Sequence, residues 1–235
     1  MNFIKHIFTI VFLTVPFFMN SQNTYNQKKE YAYNGAVKKV TTYTINVSAY
    51  RIPTDTLDYY GKSILNFTKK GDVTTYSRLY NLPSYTLSSN AIYSGVGKNI
   101  SYKESRSVNN GELVQETYKF IWKDDFNYEI KPLSKKDSSS RYVSLNPDYT
   151  IDKVLFKTLN FESEEKASYH YDNENILQKI VYKVTSTDNG TTTVREDVRV
   201  IKSVDVFSNP TVIYFMEYEH SRFPKSVVFK YYEYY

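Results

Sequence analysis

Cysteine is absent from this 235-residue chain. Disulfides and thiolate metal sites are therefore excluded, and no cysteine is available for lipid attachment, so a lipoprotein is not expected. Glycine and proline number only seven each, which excludes collagen-like and low-complexity architectures. His170 and His220 stand isolated in the sequence, and no metal site or cofactor is expected from them. The chain carries 30 basic and 25 acidic residues, a net charge of +5. Both signs are interspersed, with basic pairs such as Lys28-Lys29 and Lys69-Lys70 as the longest basic runs. Nucleic-acid binders concentrate positive charge on a stripe, so no nucleic acid is expected as partner. The one long apolar run, Ile7 to Met19, is too short to span a membrane comfortably.

That run has the flanks of a secretory signal. Lys5 and His6 precede it, and the small polar stretch Asn20-Ser21-Gln22 follows it, the three-part pattern of a cleavable leader. Residues 1–22 are read as a signal peptide cut near Ser21 or Gln22. The mature chain is then exported, periplasmic or extracellular, with no transmembrane anchor after processing.

What the chain has in quantity is tyrosine, 25 residues, together with 14 phenylalanines. Tyr, Thr and Val favour strands because they pack well on a pleated, half-buried surface. Residues 23–29 read as a loose polar lead-in. Beyond them, strand-like runs alternate with turn signals. Residues 63–68 and 73–80 flank Lys69-Lys70-Gly71-Asp72, residues 99–108 and 112–123 flank Asn109-Asn110-Gly111, and residues 176–187 and 191–204 flank Asp188-Asn189-Gly190. Residues 151–161 and 166–171 read as strands around a turn at 162–165. Helix is conceivable only near 54–61 or within 82–92. Short connections imply antiparallel neighbours. The expected fold is all-β: a single domain over 23–235, an antiparallel meander of hairpins in a twisted or curled sheet, up to a half-barrel, with a half boundary near 135–140.

A recurring unit marks several turns. Tyr169-His170-Tyr171-Asp172-Asn173-Glu174-Asn175-Ile176-Leu177 reads aromatic, any, Tyr, Asp, two polar residues, a turn residue and apolar residues. Residues 67–73 and 205–211 carry weaker copies, and residues 31–37 a shortened one. The pattern resembles the YD-repeat (RHS-like) family, with Asn175 standing where that family has glycine. Asn tolerates the left-handed backbone, so the exchange is mild. Copies are irregularly spaced, as in short exported proteins with degenerate YD-type hairpins from Bacteroidetes-like bacteria. The resemblance implies no established activity.

Catalytic patterns are missing. Asp124-Asp125 and Glu164-Glu165 fall in expected turns with nothing to set them across a cleft, and there is no Gly-x-Ser-x-Gly elbow. An enzyme is not expected. Aromatic faces are the remaining candidates for ligand contact. Tyr118, Phe120 and Trp122 share one face of their strand, and Tyr232 and Tyr234 share one face of the last. Two functions fit. The first is an exported, non-enzymatic scaffold or binding protein that meets a cell-envelope glycan, peptide or protein through an aromatic face or an exposed edge strand. The second is a periplasmic carrier enclosing an apolar ligand in a curled sheet. An internal cavity distinguishes the second from the first.

Overall fold

The computed structural model describes residues 24–48, 50–134, 139–218 and 221–235; the expected signal peptide over 1–22 and His220 lie outside them. The described residues form one four-residue helix, α1 (Gln27–Glu30), followed by strands in unbroken succession. The first seven are β1 (Val37–Asn46), β2 (Gly61–Phe67), β3 (Val73–Leu82), β4 (Tyr85–Val96), β5 (Asn99–Val108), β6 (Val114–Trp122) and β7 (Asn127–Pro132). The second seven are β8 (Ser140–Leu145), β9 (Ile151–Lys157), β10 (Phe161–Tyr171), β11 (Leu177–Asp188), β12 (Thr191–Val204), β13 (Pro210–Met216) and β14 (Ser226–Tyr234). Each strand pairs antiparallel with the next, and β14 pairs with β1, from Val37 opposite Tyr234 to Asn46 opposite Ser226. The sheet therefore closes into a barrel, beyond the curled sheet or half-barrel expected. Closure removes the free edge, and with it the edge-pairing mode of binding. Residues 135–138 lie outside the described set; on either side of them β7 and β8 pair within the same barrel.

The turns alternate between two ends. At one end, four hairpins share a single geometry. In residues 68–72, 146–150, 172–176 and 205–209, the first residue's N–H donates to the fifth residue's carbonyl. The fourth residue's N–H donates back to the first carbonyl. The fourth residues Gly71, Tyr149, Asn175 and Ser208 all have positive φ. This is the three-residue hairpin loop with a left-handed residue before the strand resumes. Asp172 and Asp205 complete their turns, each carboxylate accepting two backbone N–H bonds. The copy at 146–150 carries Asn146 and Pro147 and escaped the sequence pattern.

Three local expectations differ from the structure. Residues 162–165 lie inside β10, and the turn falls at 158–160, where the Thr158 N–H and hydroxyl both bond the Phe161 carbonyl. Residues 85–92 are strand and 54–60 irregular, so the expected helices are absent there. The lead-in expected to be loose is instead seated inside the barrel. Asn26 caps α1 by accepting from the Lys29 N–H. Lys28 N–H donates to the Gly71 carbonyl at 2.8 Å, and Val73 N–H to Gln27 Oε1 at 2.9 Å. Buried Asn209 grips Asn34, accepting from its N–H at 2.7 Å and donating to its carbonyl at 3.1 Å. Segment 24–36 thus plugs the end that carries the four matched turns.

Two aromatic clusters fix this plug. Tyr25 meets Trp122 edge-on at 4.7 Å, within a core of Ile100, Phe120, Tyr128 and Leu145. Tyr33 packs on Phe67 and Tyr232 in a second cluster with Val37, Val40 and Leu65. A third cluster, Leu177, Ile201, Ile213 and Val228, lines the opposite inner wall. Side chains alternate inward and outward along each strand, so the residues between these face outward; on β4 and β5 they are mostly polar. Ser101, Lys103, Ser105 and Ser107 point out from β5, facing Ser94, Ile92, Asn90 and Ser88 of β4. Outward ion pairs join Lys157 to Glu162, Lys153 to Glu164 and Lys39 to Glu233. Glu129, covered on the same surface, lies 3.1 Å from Lys131 and 3.5 Å from Lys123.

Candidate functional site

The barrel interior is only partly filled. A central cavity of about 490 Å³ runs from Tyr31 and Tyr33 of the plug to Thr44, Tyr80 and Phe215 towards the other rim. Its walls alternate by strand. Thr42 and Ser63, paired across β1 and β2, supply a small polar patch. Tyr76, Tyr169 and Tyr182 supply rings, and Ile213, Phe215 and Val228 an apolar side. Wide barrels leave such space because perimeter grows with strand number faster than side chains fill the middle.

Charged groups enter from few places. Arg199 of β12 donates to the Tyr182 hydroxyl at 3.1 Å, its guanidinium 4.0 Å from the Tyr182 ring centre and 4.9 Å from that of Phe215. Lys230 of β14 donates to the Tyr33 hydroxyl at 3.1 Å and sits 4.9 Å from its ring centre. Enclosure by protein, and then the like charge of Arg199, push Lys230 down to about 8. Glu165 borders the cavity from β10, and Glu30 from the plug. Glu30 accepts hydrogen bonds from the Tyr25 hydroxyl at 2.5 Å and the Tyr128 hydroxyl at 2.9 Å. Burial pushes its carboxyl up to about 7, with the two tyrosine bonds pulling the other way.

A second cavity of about 300 Å³ shares Tyr80 with the first and is bordered by Tyr102, Tyr118, Arg141 and Phe156. Three of its charges meet around Glu104. Arg78 bonds Glu104 at 2.7 Å and Ser89 at 3.0 Å, Arg106 lies 3.9 Å from Glu104, and Arg106 also donates to the Tyr118 hydroxyl at 3.2 Å. A cleft of about 270 Å³ between the plug and the matched turns shares Ala32, Tyr33, Leu177 and Pro210 with the central cavity.

All five aromatic residues singled out from sequence point inward. Tyr118 borders the second cavity. Phe120 and Trp122 pack against Tyr128 beneath the plug, and Lys98 lies 4.7 Å from the Trp122 ring centre. Tyr232 donates to the Pro210 carbonyl at 2.9 Å. Tyr234 bonds Asp205 and accepts from Asn209 at 2.8 Å. Tyr118, Phe120 and Trp122 are thus brought together on one wall, and Tyr232 and Tyr234 form a separate group at the plugged end. His170 is exposed on the outer face of β10. The residues that sequence reasoning missed are Arg199 and Lys230. Their signal is a lone cation inside an apolar run, Val198-Arg199-Val200-Ile201 and Phe229-Lys230-Tyr231.

No protein-family model matches the chain. No curated protein matches it. Among solved structures, a porin-like protein from Bacteroides uniformis ATCC 8492 is similar over 86% of this chain and 98% of its own, at 7% sequence identity and a TM-score of 0.35. At that level the likeness carries no argument about what the barrel does.

Proposed function

We propose that this is an exported, non-enzymatic binding protein whose closed barrel holds a small, largely apolar molecule in the central cavity. The observation that carries the reading is the cavity itself, about 490 Å³, walled by tyrosine rings and aliphatic side chains and floored by the plug. Ligand sites are concave, mostly apolar and equipped with a few convergent polar groups, and this cavity has that composition. Of the two functions open from sequence, the enclosed carrier gains support and the open scaffold loses its edge strand. The YD-type resemblance bears on construction rather than activity, through the matched turns that anchor the plug. Export is part of the proposal and rests on the leader.

Filling the cavity tests it. Ser63 and Thr42 face the void from neighbouring strands, so Ser63→Trp places an indole where ligand would lie. A neutral polarity-sensitive dye should bind the wild-type protein with enhanced emission. Binding to Ser63→Trp should fall about tenfold or more, with the circular-dichroism spectrum and melting temperature retained. Equal dye binding by both proteins would place the dye elsewhere and remove the support for the reading.

A further inference from the structure

We propose that the ligand of the central cavity is an organic anion with an apolar or aromatic body, its acidic head held by Arg199 and Lys230. This rests on the cavity being a binding site, as proposed above. The two cations come from β12 and β14, which flank β13, and both border the same void. Among the described residues, neither has a carboxylate within ion-pair distance. Their partners are aromatic: Tyr182 and Phe215 about Arg199, Tyr33 under Lys230. Rings and hydroxyls orient a cation without neutralising it. A charge kept from bulk water without a counter-ion is costly, and an anion entering the cavity supplies that counter-ion through charge-assisted hydrogen bonds.

The other charges around the cavity leave this need unmet. Glu165 borders the void but pairs with neither cation. Glu30 is occupied by the Tyr25 and Tyr128 hydroxyls, and burial holds it near half-protonation at neutrality. The contrast with the second cavity is instructive. There, Arg78 and Arg106 have Glu104 within ion-pair distance, whereas, among the described residues, Arg199 and Lys230 have only rings and hydroxyls. The pKa of Lys230, lowered to about 8 by burial and then by Arg199, accords with a cation awaiting a partner. Beside the two cations, Ile213 and Val228 on the same wall, and Tyr76 and Tyr169 on strands further round, offer surface for rings or chain.

Three probes with one bicyclic body separate the possibilities: naphthoate, naphthylmethanol and naphthylmethylammonium, each titrated calorimetrically against the processed protein. Naphthoate should bind at least about tenfold more tightly than the alcohol, the scale of one charge-assisted contact. That advantage should vanish in Arg199→Gln and in Lys230→Gln, while the alcohol's affinity stays as in wild type. Equal binding of acid and alcohol, or tightest binding of the ammonium, overturns the anion inference and leaves the cavity reading standing. If none of the three binds the folded protein, the cavity reading falls with it. The comparison of head groups is made on the wild-type chain, so it holds even where a variant folds poorly.

Discussion

Glu30 is the most consequential single side chain in the plug. It is buried, takes its hydrogen bonds among the described residues from two phenols, and is shifted up to about 7 from an ordinary value near 4.5. Because the folded value is the higher one, the folded state holds a proton that the unfolded chain has released between the two values. The resulting stability is fully present below about 4.5 and is lost as pH rises through about 7. A shift of this size corresponds to roughly 3 kcal/mol. Urea unfolding should therefore show the protein more stable near pH 5 than near pH 8. Glu30→Gln, neutral at both, should remove most of the difference. The single tryptophan gives a second reading, since Trp122 touches Tyr25, which bonds Glu30. Its emission should change through about pH 7 in wild type and stay flat in Glu30→Gln. An unchanged pH profile in the variant would show that Glu30 does not govern the seat of the plug.

At the scale of elements, the matched turns differ in what they hold. Asp172 serves its own hairpin, accepting from Glu174 and Ile176 N–H groups and from the Gln178 side chain, all exposed. Asp205 makes the same two backbone bonds, to Phe207 and Asn209, and also takes the Tyr234 hydroxyl. Through Asn209 it bears on the plug at Asn34. Asp172→Ala should cost about 1 kcal/mol, and Asp205→Ala about 2–3 kcal/mol, since the second leaves part-buried partners unsatisfied. Chemical denaturation of the two variants checks the order; an equal cost would separate the turn from the plug. These turns were legible in the sequence because Asp, Asn and Gly have local conformational reasons to sit there. The copy with Tyr149 at the left-handed position was not, because tertiary packing against Tyr25 and Phe126 overrides its propensity. The turn at 158–160 was misplaced for the opposite reason. The acidic run Glu162–Glu165 looks like a loop, yet Glu162 and Glu164 face outward in β10 against Lys157 and Lys153. The inner wall was half legible. Alternation grouped Tyr118 with Phe120 and Trp122, but which face is the interior depends on closure between β1 and β14, a pairing that no local pattern encodes.

The whole molecule carries charge on both faces of the barrel, and the lysines on the outer one bear on which solvent it suits. A membrane-spanning barrel presents an outward apolar band with aromatic girdles, and its polar residues face the lumen. Here Lys103, Lys119, Lys166 and Lys183 project outward from the middles of β5, β6, β10 and β11, all exposed. A lysine on the lipid face near the bilayer midplane costs about 2–4 kcal/mol. Four of them would cost on the order of 10 kcal/mol, comparable with the entire stability of an ordinary domain. Elsewhere the outer face is apolar: Val198 and Val200 of β12 lie against Met216 and Tyr214 of β13, and Val212 and Tyr214 against Phe229 and Val227 of β14. Strand count and closure alone say nothing about lipid; the outward lysines of β5, β6, β10 and β11 count against an apolar band that runs right round the barrel. The processed protein should therefore remain in the aqueous phase of a Triton X-114 partition. It should also run as a monodisperse species without detergent, with the same circular-dichroism spectrum whether or not lipid vesicles are present. Recovery in the detergent phase would mean that the apolar outer face of β12–β14 outweighs the outward lysines.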